Sequence, residues 1–285
     1  MSSASAQTTK PGYKRLWWHS YRLGFGWLLR AARRGWPGKK AGLQRLLVPM
    51  DPWRYYEMGK LADERYEGDW LDVSSPKLLT SLLRREGNGD WIGTDLFSAE
   101  LEAWSAIDPN LQLQVEDATD PTFDDDRFDG ALCVSVLEHI GPGKDLIALE
   151  QMRRVVKPGG VLHLTTMVSA EARDVYVDHL IYGEASDEDE QGVFFEHVYA
   201  PEELNALVEQ AGWTLTEAEY AVQTRPRIQQ RFYSLAPFSY VFGGLLRVWF
   251  PRTIDVSQSD AAIRALGKDA AGVAYLRLAN SATLS

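Results

Sequence analysis

The chain has 285 residues, is 45% hydrophobic and 25% charged, carries a net charge of -10 and contains one cysteine. That length suits one large domain, or one domain with additions, and is ample for a sizeable core. A single cysteine excludes an internal disulfide framework, and no apolar run reaches the roughly eighteen residues needed to span a bilayer. No compact apolar stretch precedes a small-residue cleavage site near the start, so no secretion signal is expected and a cytoplasmic location is the default.

The net charge hides an asymmetry. Residues 1–50 hold ten Lys or Arg and no acid, which leaves the remainder at -20. A basic arm on an acidic body points to a membrane or nucleic-acid partner as alternatives.

In chain order, residues 1–12 are small and polar and read as a disordered tail. Residues 13–65 read as a basic, aromatic helical arm. Within it Lys14–Arg34 is helical, with Trp17, Tyr21, Phe25, Leu28 and Ala32 on one face and Arg15, His19, Arg22, Arg30 and Arg33 on the other. Gly24 and Gly26 weaken that helix, Gly35, Pro37 and Gly38 stop it, and a second basic stretch runs to Leu47. From residue 66 to 285 strands alternate with helices. Strands are expected at Trp70–Val73, Trp91–Thr94, Leu111–Val115, Gly130–Val136, Val161–Met167, Trp213–Val222 and Ala274–Ala279. Helices are expected at Pro76–Glu86, Glu100–Ile107, Asp145–Val156 and Pro201–Ala211, with Pro158-Gly159-Gly160 as a turn. This pattern predicts an α/β fold with a doubly wound, mostly parallel sheet of seven strands. Ligands bind such sheets at the carboxyl ends of the strands. Two cap segments interrupt the alternation, 169–199 and 223–257. The second carries seven aromatics, and from Tyr220 to Ile254 there are five Arg and no acid.

The ordered set Phe128-Asp129-Gly130 through Val136-Leu137-Glu138-His139-Ile140, Lys157-Pro158-Gly159-Gly160-Val161-Leu162 and Tyr199-Ala200-Pro201-Glu202-Glu203-Leu204 resembles the class I S-adenosylmethionine (SAM) dependent methyltransferases of Rossmann-like fold. Those acting on small molecules are the most similar. The resemblance spans about residues 66–220. It departs from the family at the first cofactor loop, where Leu71-Asp72-Val73-Ser74-Ser75-Pro76-Lys77-Leu78 has Ser74, Pro76 and Leu78 at the three glycine positions. Pro76 cannot take the open conformations a glycine allows. Ser75 as N-cap and Pro76 at the first helical position offer a substitute, a helix N-terminus aimed at the methionyl carboxylate of SAM.

The resemblance implies SAM as cofactor, held by Asp72, Ser74 and Ser75, by Asp95 and Leu96 at the ribose, by Asp117 and Ala118 at the adenine, and by Ser135 and Val136 on the methionine side. A carboxylate suits the ribose because it accepts two hydrogen bonds side by side. The bland readings are a plain helix start at Ser75 and a turn acid at Asp95. Candidate bases are His139, His179 and His197, with Glu196 beside them. A histidine near neutral pKa can take a proton from a hydroxyl or amine, although the Leu-Glu-His-Ile histidine also serves structurally in this family. Cys133 and His163 read as core residues. No metal signature is present: Glu138-His139 and Glu196-His197 are adjacent pairs and there is no Cys cluster.

The expected partner is a small, apolar or lipid-like acceptor methylated on O, N or C. For the basic aromatic segments 14–47 and 223–254, three readings compete: contact with an anionic membrane surface, nucleic-acid binding, and a lid packed over the acceptor pocket. The acidic body argues against nucleic acid. The rival to an enzyme is a catalytically silent scaffold at a membrane surface.

Overall fold

The structure, a computed structural model, describes residues 12–34, 39–47, 52–178, 188–189, 192–224, 231, 234–235, 238, 252–267 and 270–281. The expected tail at 1–12, apart from Gly12, and most of the insert 223–257 lie outside the described residues.

The first half of the sheet is built by β1 (Asp69–Val73), α4 (Lys77–Arg85), β2 (Asp90–Asp95), α5 (Ser98–Ile107), β3 (Gln112–Val115) and β4 (Phe128–Val134). The second half follows with α6 (Lys144–Val155), β5 (Val156–Val168), α7 (Pro201–Gln210), β9 (Thr214–Gln223), β10 (Ile254–Ser257), α8 (Ala261–Arg264) and β11 (Gly272–Ala279). The sheet order is β10-β9-β11-β5-β4-β1-β2-β3. The run β3-β2-β1-β4-β5 is parallel, whereas β11 lies antiparallel between β5 and β9. The α/β, mostly parallel architecture is as the sequence predicts. There are eight strands in this sheet rather than seven, because Ile254–Ser257 adds an antiparallel edge to β9.

Side chains alternate across the strands. Leu71, Val73, Ala131 and Cys133 pack toward α6 and α7, while Trp70, Leu132 and Val134 pack toward α4 and α5. Helix α4 buries Leu78, Leu79, Leu82 and Leu83 and ends in Arg84 and Arg85, cations suited to its carboxyl end. Helix α7 starts at Pro201, with the Ala200 N–H donating to the Glu203 carboxylate at 3.2 Å. Strand β5 begins five residues before the expected Val161. The Pro158-Gly159-Gly160 stretch lies inside it as an irregularity with Gly159 at φ +85°, because Val156 already pairs with Phe128.

Three helices precede the sheet: α1 (Tyr13–Arg34), α2 (Lys39–Leu47) and α3 (Pro52–Ala62). The expected α1 is present, but its buried stripe is displaced. Leu16, His19, Ser20, Leu23, Trp27 and Ala31 are buried, and Phe25 is 60% exposed. His19, assigned above to the polar face, reaches inward to Ser81 Oγ at 2.7 Å, and Ser81 donates to Asp108 at 2.5 Å. Gly24 does not break α1. A Cβ there would lie 2.8 Å from Leu46 of α2, and one at Gly42 would lie 2.2 Å from Trp27, so both glycines permit close helix contact. Helix α1 packs on α3, α4 and α5. It therefore adds an outer layer to one face of the sheet instead of forming a lid over the strand ends. Among the described residues no helix is long and apolar enough to cross a membrane.

The insert 169–199 forms a small antiparallel sheet of β6 (Arg173–Val177), β8 (Gly192–Val198) and β7 (Glu188–Asp189), in the order β6-β8-β7.

Candidate active site

The chain runs outward from β1 to β2 and β3, then returns to place β4 on the other side of β1. This reversal opens the crevice where doubly wound sheets bind ligands. Two non-glycine residues with left-handed backbone flank it. Ser74 follows β1 at φ 50° and Ser135 follows β4 at φ 49°. That conformation costs an L-residue about 1–2 kcal/mol. Both turns are held by neighbours: the Ser74 N–H donates to the Thr94 carbonyl at 3.1 Å and the Ser135 N–H to the Thr165 carbonyl at 2.9 Å. At its first glycine position the loop thus keeps the left-handed backbone that glycine favours, although the residue is serine.

The rest of the loop is rebuilt around Asp72, which is fully buried. Its Oδ1 accepts from the Ser75 N–H at 2.8 Å and from Lys77 Nζ at 3.2 Å, and Thr80 Oγ1 donates to Oδ2. Lys77 is 1% exposed and also donates to the Ser75 carbonyl at 2.8 Å. Ser75 Oγ accepts from the Val134 N–H at 2.9 Å, which ties the loop to β4. The expected cap is corrected here. Pro76 occupies the N-cap and α4 begins at Lys77, because the Ser75 Oγ that would cap the helix accepts from the Val134 N–H instead. Asp72 and Ser75 are buried structural partners of Lys77 and β4, and of the three loop residues Ser74 is the one not counted as buried.

Asp95 ends β2 and is half-buried, with Oδ1 accepting from the Phe97 N–H at 3.0 Å. Burial raises its pKa, and the Phe97 N–H and the Lys77 ammonium pull it part of the way back. Leu96 beside it is exposed. Beyond β3, the exposed Asp117 accepts from the Thr119 N–H and Oγ1 at 2.8 and 2.7 Å. Asp117 and Ala118 border a recess lined by Leu71, Val73, Thr94, Phe123 and Met152, with a cavity volume of about 10 Å³. That is room for about one water.

Across β4 and β5 lies a group of acids that the sequence reading missed. Glu57 of α3, 1% exposed, accepts from Ser135 Oγ at 2.6 Å and Thr165 Oγ1 at 2.7 Å. Arg54 Nη1 stands 3.5 Å from its other oxygen and 3.4 Å from the Val134 carbonyl. Glu138, in the 3₁₀ turn Leu137–His139, is equally buried and accepts from Thr166 Oγ1 at 2.9 Å. Burial pushes its pKa up to about 7, with Glu57 adding to the rise. The one available signal for Glu57 was a lone acid among Trp53, Tyr55, Tyr56, Met58 and Leu61.

His139 packs against Phe195 (ring centroids 5.0 Å apart, planes tilted by 55°) and donates Nδ1–H to the Phe195 carbonyl at 2.7 Å. The carbonyl can only accept, so it fixes the tautomer and leaves Nε2 as the acceptor nitrogen. Burial holds the His139 pKa below 6.5 despite that bond and the nearby Glu196, whose own pKa burial raises. Val136, between Ser135 and the turn, is half-buried. His197 is not brought to this cluster. Its nitrogens engage Asp174 at 2.6 Å and Glu203 at 3.2 Å. Burial works to lower its pKa, but the two carboxylates outweigh it and leave it raised. His179 lies outside the described residues. Cys133 is fully buried, and His163, 2% exposed, hydrogen-bonds Tyr275 Oη at 2.8 Å, so both are core residues.

This sheet order, with its reversal between β3 and β4, defines a Rossmann-like α/β fold. Residues 71–164 match the family model described as a methyltransferase domain. That match covers about a third of the chain, and over this segment the chain is similar to a methyltransferase domain, a class whose cofactor is SAM. Sequence comparison with curated proteins returns no match. Among solved structures the chain is similar to the MccD protein, with 16% identity and a TM-score of 0.51 over 81% of this chain and 98% of that one. It is also similar to a SAM-dependent methyltransferase from Methanosarcina mazei (15% identity, TM-score 0.48, 76% and 94% covered) and to the [4+2]-cyclase SpnF (18%, 0.49, 85% and 82%). At such identities the likeness to the MccD protein shows a shared fold.

The polar groups present suit SAM in part. Asp95 offers a carboxylate to a diol, Asp117 offers an acceptor to an exocyclic amine, and Glu57 places a carboxylate beside the β4 end, where the methionyl ammonium would lie. The recess beside Ala118 must widen to admit an adenine ring.

Proposed function

We propose that the protein transfers the methyl group of SAM to an O, N or C atom of a small acceptor with an apolar body. The observation that carries this reading is Asp95, half-buried at the end of β2 within the segment that matches the methyltransferase domain. When bound, SAM supplies an electrophilic methyl on a sulfonium. The residues of the chain position and deprotonate. Asp95 would hold the ribose hydroxyls, Asp117 and Ala118 the adenine edge, and Ser74, Ser135 and Val136 the methionyl side, with Leu96 flanking the ribose. For an O–H or N–H acceptor the released proton goes to His139 Nε2. The depressed pKa of His139 keeps the imidazole neutral and able to accept at pH 7. Phe195 and Ile140 give the apolar wall, and Glu196 stands beside the imidazolium that forms. Direct displacement depends chiefly on alignment of donor and acceptor. The basic N-terminal segment is the part of the molecule suited to an anionic membrane surface.

The test is isothermal calorimetry with S-adenosylhomocysteine on the wild type and on Asp95→Ala. Micromolar binding that weakens at least tenfold in the variant is expected. Failure of the wild type to bind would end this reading. A second reading would then lead, favoured by the Lys77 ammonium and Thr80 hydroxyl already occupying Asp72: a methyltransferase-fold scaffold that has lost its cofactor.

A further inference from the structure

The outer face of α1 carries three large apolar side chains in line. Trp18 is 65% exposed, Phe25 60% and Leu29 76%. With Arg22 they fall at spacings i, i+4, i+7 and i+11, which is one stripe of a helix. A monomeric soluble surface seldom lines up residues of this size. At the Trp18–Arg22 end of the stripe lies a groove of about 440 Å³ between α1 and α4, bordered by Arg15, Trp18, Arg22, Arg85 and Glu86. Arg15 is committed to Asp63 at 3.0 Å and Glu86 at 3.1 Å. Arg85 Nη1 lies 3.5 Å from His19 Nδ1, and burial keeps that histidine neutral with a pKa of about 4. Arg22 is exposed and forms no ion pair among the described residues. Two guanidiniums with charge to offer therefore flank an open groove beside an indole.

We propose that this face is an interfacial docking surface for an anionic phospholipid bilayer. Trp18, Phe25 and Leu29 enter the headgroup–acyl boundary, and Arg22 and Arg85 meet the lipid phosphates. The inference deepens the membrane part of the reading above and rests on it. Charge complementarity selects the occupant. Residues 1–50 contribute ten cations and no acid, whereas the rest of the chain has a net charge of -20. An anionic surface thus attracts the N-terminal segment that carries this face and repels the rest of the chain, which favours this orientation. The combination of aromatic, aliphatic and Arg side chains is that of a helix lying in an interface plane. Lipid headgroup phosphate is the source of the anion, because a free phosphate gives the three exposed apolar side chains nothing to bury against.

The experiment is co-sedimentation of the full chain with phosphatidylcholine vesicles, with and without about 30% phosphatidylglycerol, at low and high salt. Binding to the anionic vesicles is expected to exceed that to neutral ones at least tenfold, and to fall at high salt. It should drop at least tenfold in W18S/F25S/L29S and in R22E/R85E. The apolar triple variant replaces exposed side chains, so circular dichroism and S-adenosylhomocysteine affinity should match the wild type. That control separates loss of docking from loss of the cofactor reading. Equal binding to neutral and anionic vesicles would overturn the proposal, as would no binding, or wild-type binding by both variants. So would a dimer on gel filtration that the triple variant abolishes while vesicle binding persists, because the stripe would then serve a second copy of the chain.

Discussion

Lys77 Nζ lies 3.2 Å from Asp72 Oδ1, and both side chains are within 1% of full burial. Asp72 is the strand-ending acid of the loop, and Lys77 is the first helical residue after it. The lysine therefore folds back along the path that a glycine-rich loop would leave open. Its stem passes over Gly93 of β2, where an added Cβ would lie 3.2 Å from Lys77 Cδ. The pair, with Thr80 and the Ser75 N–H, replaces backbone flexibility by a fixed polar knot.

Breaking that knot on one side should be costly. Lys77→Met leaves Asp72 buried with one cation fewer, and a loss of about 3–5 kcal/mol is expected. The double variant D72N/K77M removes both charges and keeps an acceptor for Thr80, so it should recover more than half of the loss. Urea unfolding of the two proteins, at unchanged m-value, measures the difference.

Asp95→Asn keeps the shape of the β2 terminus and its acceptor for the Phe97 N–H, but loses the anionic face. Hydrogen bonds to a charged group contribute about 1.5–3 kcal/mol, so affinity for S-adenosylhomocysteine should fall roughly 10- to 100-fold. The thermal midpoint should hardly move. Calorimetry and a melt on the same sample distinguish a ligand contact from a turn acid.

His139→Gln should separate proton transfer from cofactor binding. With an O–H or N–H acceptor, kcat is expected to fall roughly 10²–10⁴-fold, the usual contribution of a positioned base. S-adenosylhomocysteine affinity should stay within about threefold of wild type. The acid limb of the wild-type kcat/KM profile should lie below pH 6.5, because burial depresses the His139 pKa, and it should vanish in the variant. A variant that keeps wild-type kcat would assign His139 to structure.

Glu138 gives the protein a pH-dependent stability of definite sign. Its folded pKa is raised from 4.5 to about 7, so the folded state holds its proton more tightly than the unfolded chain. The stability this confers is present below pH 4.5 and is lost as pH rises through about 7. Glu138→Gln should therefore be the more stable protein at pH 8, by up to about 3 kcal/mol, and the gap should close by pH 4.5. Denaturant midpoints at the two pH values decide it.

His163 has the opposite sign. Burial lowers its pKa from 6.5 to about 3, with Arg277 and Lys60 adding to the effect. Its contribution is present above pH 6.5 and falls away as pH drops toward 3. His163→Gln should flatten the stability slope over that interval, read from melts between pH 6.5 and 4.

The sequence by itself determined the elements whose pattern is local. The apolar run at 130–136 reads as a buried strand, which the structure places two residues earlier at 128–134, the leucines of 78–83 fall on one helix face, and Pro201 with Glu202 and Glu203 marks a helix start. Chain-order alternation of such elements was enough for a doubly wound sheet, and the end of β2 was enough to single out Asp95. Tertiary structure alone decided the rest, because those features depend on which elements meet. The rotation of α1 that buries His19 and exposes Phe25 follows from packing on α3, α4 and α5, since Trp, Tyr and Phe occur around most of that helix and its periodicity is weak. Lys77 looks like an ordinary surface lysine until β1 and β2 close over it. Glu57 lies 78 residues from Ser135 and 108 from Thr165 in the chain, and no local pattern can report a hydrogen bond made at that separation. Burial makes those contacts strong, and burial is a property of the assembled layers rather than of any segment.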